Sequence, residues 1–212
     1  MTTITTTATT TVPQLHTGPR LPVEHAVPRP VELREAPRPP TRTPADAGVV
    51  VRELGPGEEQ VLDVVFAGLS DRSRYLRFHS PVPRLVPAVR RALAAVDGHR
   101  HVALVAVAGR APIGIARCID LGSGRAELAV EVVDAWHGRG VGTLLLRALR
   151  DLAVAAGWRE LSAEVLAENG AVRALLRTVF PIQGVARDGA ELTLTLPLVG
   201  TGTGDAADLL VA

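Results

Sequence analysis

Residues Trp136–Gly142 read WHGRGVG, with glycine at 138, 140 and 142, between the apolar run AELAVEVVDA and the amphipathic stretch TLLLRALRDLA. Bare backbone where a strand hands over to a helix serves one of two ends. The bend itself can require residues without a Cβ. Alternatively, an anion must reach the first amides of the helix, where about four N–H groups lack partners and the peptide dipole leaves partial positive charge. On the second reading Gly138–Gly142 is a diphosphate cradle, each contact worth about 0.3–1 kcal/mol. A lone G-x-G leaves both readings open. Two other phosphate-binding arrangements fail. A dinucleotide fingerprint is G-x-G-x-x-G after the first strand of a parallel unit. Here the glycines run G-x-G-x-G, deep in the chain and behind an antiparallel meander. A phosphate loop needs lysine, and all 23 basic residues of this chain are arginine.

Other side chains capable of chemistry have plainer readings. Cys118, alone and mid-strand, has no histidine-and-acid pattern beside it and reads as core filler. His79, His99 and His101 lack metal-ligand spacing, so no metal is expected. Arg72, Arg74 and Arg77 read as a solvated helix face, or as a surface for an acidic acceptor. Tyr75 is the only tyrosine. Without lysine, protein-kinase and pyridoxal Schiff-base chemistry are excluded along with the phosphate loop.

The elements that must hold these residues can be traced in order. Gly48–Leu54 is a β-branched run and a first strand. The stretch GPGEEQVLDVVFAGLS is a helix with acids in its first turn, and DRSRYLRFHSPVPRLVPAVRRALAAVDG a short helix, a proline-marked break and a second helix. A hairpin about Ala108–Gly109–Arg110 follows, then a further strand after the turn Gly122–Ser123–Gly124. The long amphipathic helix ends at Gly157 as its C-terminal cap. ELSAEVL is a strand, ENGAVRALLRTVF a helix, and a hairpin about Asp188–Gly189 closes the domain. This is a mixed α/β domain over about 48–198. Residues 1–47, with eight threonines in the first eleven positions and nine of the sixteen prolines, bury too little apolar surface to order and read as a disordered arm without signal-peptide character. Residues 199–212 read as a flexible tail. The net charge of +1 and the absence of like-charge blocks argue against nucleic acid as a partner. No apolar run reaches the ~18 residues of a membrane span. A single cysteine fits a cytoplasmic setting, and the arginine-only composition a GC-rich bacterial genome.

Taken together, His137-Gly138-Arg139-Gly140-Val141-Gly142, the strand before it, the helix after it and the later ENGAVRALLRTVF resemble the GCN5-related N-acetyltransferase (GNAT) family over about 50–198. The family motif is Arg/Gln-x-x-Gly-x-Gly/Ala, so His137 departs from it. GLSDRSRYLRFHSPVPRL is similar to the equivalent segment of bacterial members that include protein lysine acetyltransferases. The resemblance implies a single GNAT-like α/β domain with a mixed, mostly antiparallel sheet flanked by helices, and acetyl-CoA as co-substrate. Backbone groups of a bent fourth strand at Val130, Val132 and Val133 would meet the pantetheine arm and thioester, in a slot where strands four and five splay. The loop Gly138, Arg139, Gly140, Val141, Gly142 and Thr143 would hold the diphosphate, and Asn169 would contact the coenzyme arm or the helix start. His137 is then a turn residue or a direct phosphate contact.

The resemblance further implies an N-acetyltransferase acting on an amine acceptor, protein or small molecule. Lysine-like amines, with pKa about 10.4, need about 4.6 kcal/mol to be neutral at pH 7. Glu127 falls where several members carry a catalytic glutamate, and Glu131 shares its strand face by alternation. The alternative for each is a solvated or salt-bridged strand residue. Many members protonate the departing thiolate with a tyrosine seven residues past the asparagine; here that position is Leu176. A reading of another class is an acyl-CoA-binding regulatory module without turnover. A third makes the Thr/Pro-rich arm an interaction segment. A homodimer is compatible with all three.

Overall fold

The computed structural model describes residues 48–198; the arm and tail assigned above lie outside the described residues. Strand β1 (Val49–Glu53) leads into three helices, α1 (Glu59–Ala67), α2 (Asp71–Phe78) and α3 (Pro87–Ala94). The meander β2 (His101–Ala108), β3 (Ala111–Gly122) and β4 (Arg125–Val132) follows. Helix α4 (Val141–Ala155) crosses to β5 (Glu160–Leu166), and α5 (Gly170–Arg177) leads to the hairpin β6 (Gly184–Asp188) and β7 (Glu191–Pro197). The seven strands form one sheet in the order β1-β2-β3-β4-β5-β7-β6. Every pairing is antiparallel except β4 with β5. The expected mixed, mostly antiparallel sheet flanked by helices is therefore the fold. A single 3-10 turn, Asp134–Trp136, between β4 and the glycine loop has no counterpart in the sequence reading.

Burial follows the side-chain pattern. The run HVALVAVA of β2 is apolar on both faces because helices cover both. On one face α4 lays Val141, Leu145, Leu146, Leu149 and Ala153 against Ala116, Cys118, Ala126 and Leu128. These helix positions recur at the three- and four-residue spacing of one stripe. Beyond α4 the chain stops helically because Gly157 takes φ 84, the left-handed conformation of a C-terminal cap. On the other face α1 and α3 pack Leu62, Val65 and Ala94 against Ala103, Val105 and Ile115. Past β4 this second face has no such apolar cover. The strands β5 and β7 alternate, with Leu161, Ala163, Leu192, Leu194 and Leu196 in the α4-side core and Ser162, Glu164, Thr193 and Thr195 on the opposite face. That opposite, polar face lies beside the site described below.

The corner between α1 and α2 is pinned to the end of β4. A Cβ on Gly68 would lie 2.6 Å and 2.8 Å from the two methyls of Val133, while the Asp134 N–H donates to the Gly68 carbonyl at 3.1 Å. Both groups are short and branched or backbone, so little can yield. Gly68→Ala is expected to cost about 1–3 kcal/mol by overpacking, read as a lowered midpoint of urea unfolding with an unchanged slope.

Candidate functional site

Strands β4 and β5 pair over only three positions, Arg125 with Glu160, Ala126 with Leu161 and Glu127 with Ser162. Both run on, to Val132 and Leu166, without pairing to each other. Which groups line the gap follows from alternation. The Val133 N–H donates to Ile113 on β3 at 2.9 Å, so the amides of odd-numbered β4 residues point toward β3. Those of Leu128, Val130 and Val132 point toward β5. Past Glu127 the polar edge of Val130 and Val132 therefore faces an open gap. The strand is not bent by a bulge: its register with β3 is unbroken from Ala126 to Val132. The gap arises because β5 departs. Val133 is different from the other two valines. Its N–H is used by Ile113, its carbonyl accepts from the Trp136 N–H at 2.8 Å, and its side chain packs toward α1 and α3. It offers no free polar group.

At the end of β4 the chain makes its 3-10 turn and reaches the glycine loop. Gly138 and Gly140 take φ 68 and φ 80, so both require the conformational freedom of glycine. Gly140 is the N-cap of α4 and no side chain caps this helix. The first intrahelical bond is Leu144 N–H to Gly140 O, 3.0 Å, which leaves the amides of Val141, Gly142 and Thr143 without helical partners. Helices α2 and α5 are closed, since Ser70 Oγ accepts from the Ser73 N–H and Asn169 Oδ1 from the Val172 N–H; α1 and α3, like α4, have no side-chain cap. Asn169 is buried in this capping role. Gly142 has a separate reason, because a Cβ there would lie 2.8 Å from Leu175 Cδ2 of α5. Arg139 stacks its guanidinium 5.1 Å above the Trp136 ring. The His137 ring turns back, its Nε2 2.7 Å from the Val132 carbonyl.

The carboxylates lie on the face opposite α4. Glu127, the last β4 residue paired with β5, is open to solvent at one side yet ringed by protein elsewhere. Partial desolvation pushes its carboxyl above the ordinary glutamate range and Glu164 adds to the rise; Arg77 and His79 oppose it. Glu131 is in another state. Its side chain is only 9% exposed, Arg77 Nε donates to its Oε2 at 2.6 Å, and Arg117 Nη2 lies 3.7 Å from its Oε1. It is bound between two guanidinium groups, which favours the salt-bridged strand residue over the base.

Arg117 was missed in the sequence reading, hidden in the apolar strand APIGIARCIDLG with nothing nearby to flag it. It is 1% exposed, and its Nη1 donates to the Leu93 carbonyl at 2.7 Å. The same Nη1 lies 3.2 Å from His101 Nε2. Arginine only donates, so that nitrogen accepts and the His101 proton sits on Nδ1, directed at the Ala95 carbonyl 3.1 Å away. Burial and the neighbouring Arg117 hold this imidazole below its usual pKa.

Helix α2 buries no residue and is attached by polar bonds instead. Arg72 reaches Glu168 at 2.9 Å, Arg77 reaches Glu131, and His79 reaches Glu191 at 3.2 Å. Arg74 donates to the Phe66 carbonyl at 3.2–3.3 Å. The solvated arginine face expected of this helix is thus corrected for two of the three: Arg74 is turned onto the Phe66 carbonyl and Arg77 onto Glu131, whereas Arg72 stays 58% exposed in its pair with Glu168. Among the described residues no group of three or more His, Cys, Asp or Glu is arranged to hold a metal ion.

A parted strand pair, an uncapped helix start beside it and a carboxylate at the point of parting match the arrangement that the resemblance implied. The sequence model of the Acetyltransferase (GNAT) family matches residues 70–179, more than half of the chain. The chain belongs to that family. The GNAT domain of PAT from S. lividans is similar at 28% identity and TM-score 0.65, over 70% of this chain and 89% of that one. Two more distant structures share the fold. A GCN5-related N-acetyltransferase from Kribbella flavida gives 21% identity and TM-score 0.59, over 73% and 99% of the two chains. A putative acetyltransferase from Salmonella typhimurium, solved with its cofactor acetyl-CoA, gives 20% and 0.52, over 75% and 99%.

Within this acetyltransferase domain several side chains are removed from the chemistry. Leu176 is fully buried in the core, so no acid stands at that position. Cys118 is buried too, and burial pushes its thiol well above the usual range. No helix among the described residues is long and apolar enough to cross a membrane. Glu131 gives the sharpest test of its structural role. Glu131→Ala strands buried Arg117 without its counter-charge and is expected to cost about 3–5 kcal/mol. Adding Arg117→Met in the same chain should restore a large part of that loss, measured by chemical denaturation of both variants.

Proposed function

We propose that this GNAT-family protein is an acetyl-CoA-dependent N-acetyltransferase that acetylates a primary amine by direct attack, with Glu127 as its base. The observation that carries the reading is that three features follow one another along the part of the chain that runs from the parting of β4 and β5 to the start of α4. These are the β4 edge without a β5 partner at Val130 and the Val132 N–H, the uncapped amides of Val141, Gly142 and Thr143, and Glu127 where β4 and β5 part. Their chemistry suits one extended ligand. Amides at a helix start with two left-handed glycines before them suit a diphosphate, and an unpaired strand edge suits the amide-bearing arm. The S. typhimurium relative holds acetyl-CoA, which supports the same ligand here. Gly138, Arg139, Gly140, Val141, Gly142 and Thr143 would hold the diphosphate end, and Val130 and Val132 the arm, beside Asn169.

The coenzyme supplies an acetyl thioester; what remains of the step falls to the chain. The acceptor must lose a proton, and Glu127 takes it, directly or through one water. Its raised pKa, caused by desolvation first and Glu164 second, makes the carboxylate a better match for that work than an ordinary glutamate. As the nitrogen–carbon bond forms, the carbon–sulfur bond breaks and the thiolate departs. With a thiol pKa near ~8.5 it needs no acid, consistent with leucine at position 176. Holding amine and thioester together supplies a large share of the acceleration, up to about 7–11 kcal/mol.

The activity is tested by incubating the purified protein with labelled acetyl-CoA and either cell lysate or a metabolite extract, and locating the label by mass spectrometry. No acetylated product in either arm would remove the enzyme reading and leave a coenzyme-binding module. Glu127→Gln is expected to lower kcat by about 10²–10⁴-fold while acetyl-CoA still binds. Activity governed by Glu127 rises with pH as the carboxyl ionises, so the acidic limb of the profile lies above that of an ordinary glutamate. Removing the Glu164 charge with Glu164→Gln should move that limb to lower pH; a limb that stays in place would assign it to another group.

A further inference from the structure

Position 137 is where this chain departs from the arginine or glutamine of the family motif, and its side chain is turned back onto β4. The Nε2 atom lies 2.7 Å from the Val132 carbonyl oxygen. A carbonyl only accepts, so the ring carries its proton on Nε2. That carbonyl belongs to the edge of β4 that faces the gap, where β5 no longer supplies a partner. The same Nε2 stands 3.8 Å from Asp134 Oδ1. Asp134 is itself fastened to the α1–α2 corner, its N–H donating to the Gly68 carbonyl at 3.1 Å and its Oδ2 accepting from the Ser70 N–H at 3.3 Å.

The glycine loop has few other restraints on this side. Between Val132 and Gly140 the backbone is held by Val133 N–H to Ile113 O, Asp134 N–H to Gly68 O, and the two bonds of one 3-10 turn, Trp136 N–H to Val133 O and His137 N–H to Asp134 O; none of these backbone bonds reaches Gly138 or Arg139. Immediately afterwards Gly138, left-handed and with open space around it, gives a free pivot. A hydrogen bond that spans five residues and ends on the strand removes that freedom on the strand side of the pivot. The side chain is 53% exposed, so its bond contributes little to core packing.

We propose that His137 is a positioning residue that latches the glycine loop to the free edge of β4. It thereby sets the separation between the helix-start amides and the strand edge at Val130 and Val132. This rests on the acetyl-CoA reading above. A latch of this kind matters to a ligand that spans both halves of the site and much less to one that touches only the strand half. Acetylpantetheine, which lacks the diphosphate and nucleotide, is such a ligand.

The test compares kcat/KM for acetyl-CoA and for acetylpantetheine in the wild type, His137→Ala and His137→Gln, with CoA affinity measured by calorimetry. His137→Ala is expected to lower kcat/KM for acetyl-CoA about fivefold through KM, the scale of one hydrogen bond. It should also weaken CoA binding to match, and shrink the preference for acetyl-CoA over acetylpantetheine. In His137→Gln the amide N–H can donate to the same carbonyl, and most of the loss should be recovered. Equal losses for the two donors, unchanged CoA affinity, or no recovery with glutamine would overturn the latch. Wild-type protein that binds no CoA would overturn the acetyl-CoA reading itself, a result separate from binding that is indifferent to position 137.

Discussion

Strand β4 loses its parallel neighbour after Glu127, and the arrangement of the site follows from that loss. An edge of unpaired N–H and C=O groups inside a sheet is costly unless water, protein or ligand meets it. Here β5 leaves that edge open. From Glu160 to Leu166 it pairs along its whole length with β7 on one edge, whereas its other edge meets β4 only from Glu160 to Ser162. The crossover makes this opening useful. A parallel pair needs a connection of a dozen or more residues, and here it leaves the end of β4 at Val132 through the 3-10 turn and glycine loop into α4 at Val141. The carboxyl end of β4, the gap and the uncapped end of α4 therefore meet at one place. This is where ligands sit beside open α/β sheets, outside the carboxyl ends of strands.

The other side of the gap is built from charge. Helix α2 contributes no side chain to either core and is attached by arginine and histidine to carboxylates of β4, β7 and the turn after β5. These attachments are unequal. Arg72 and Glu168 are both about half exposed, and such pairs contribute little, about 0–1 kcal/mol. Arg77 and Glu131 are largely buried and backed by Arg117, so they carry more of the attachment and are more costly to break. Glu131 is thus a structural anchor for α2, whereas Glu127 has no ion pair among the described residues and the largest charge influence on it is that of another carboxylate, Glu164. Two glutamates four residues apart on one strand face thus stand in opposite electrostatic settings because of what lies across from them.

How much of this could be read beforehand depended on the range of the interaction. Elements with a local signature were legible: the three-four spacing in α4, the alternation in β5 and β7, the glycines at 122, 124, 157 and 189. So was the motif, because a strand, G-x-G and a helix are contiguous in the chain. The illegible parts join residues far apart. Nothing near Arg77 in the sequence indicates Glu131, 54 positions away, so α2 read as a solvated face. Arg117 sits in an apolar strand whose hydrophobic pattern it interrupts without comment. The end of β5's pairing with β4 at Ser162 is likewise a tertiary outcome, and Val133, one residue beyond the open edge, could not be separated from Val132 without knowing the register.

In the glycine loop the two readings that its spacing left open, turn and cradle, do not exclude each other. Gly138 and Gly140 are there for the bend, since both have positive φ; yet the conformation that makes the bend also removes the side-chain cap and leaves the next amides exposed. Gly142 shares the motif for a third reason, the close approach of Leu175 on α5. A regular G-x-G-x-G thus records three different demands. The residue before it adds a fourth, because a loop with two left-handed glycines is only as well placed as its nearest fixed point. In this chain His137 is that point, held through its N–H to Asp134 and through its ring on the Val132 carbonyl. Positive φ and missing Cβ atoms make anion binding sterically possible, and the bond to the strand aligns it with the gap where β4 and β5 part.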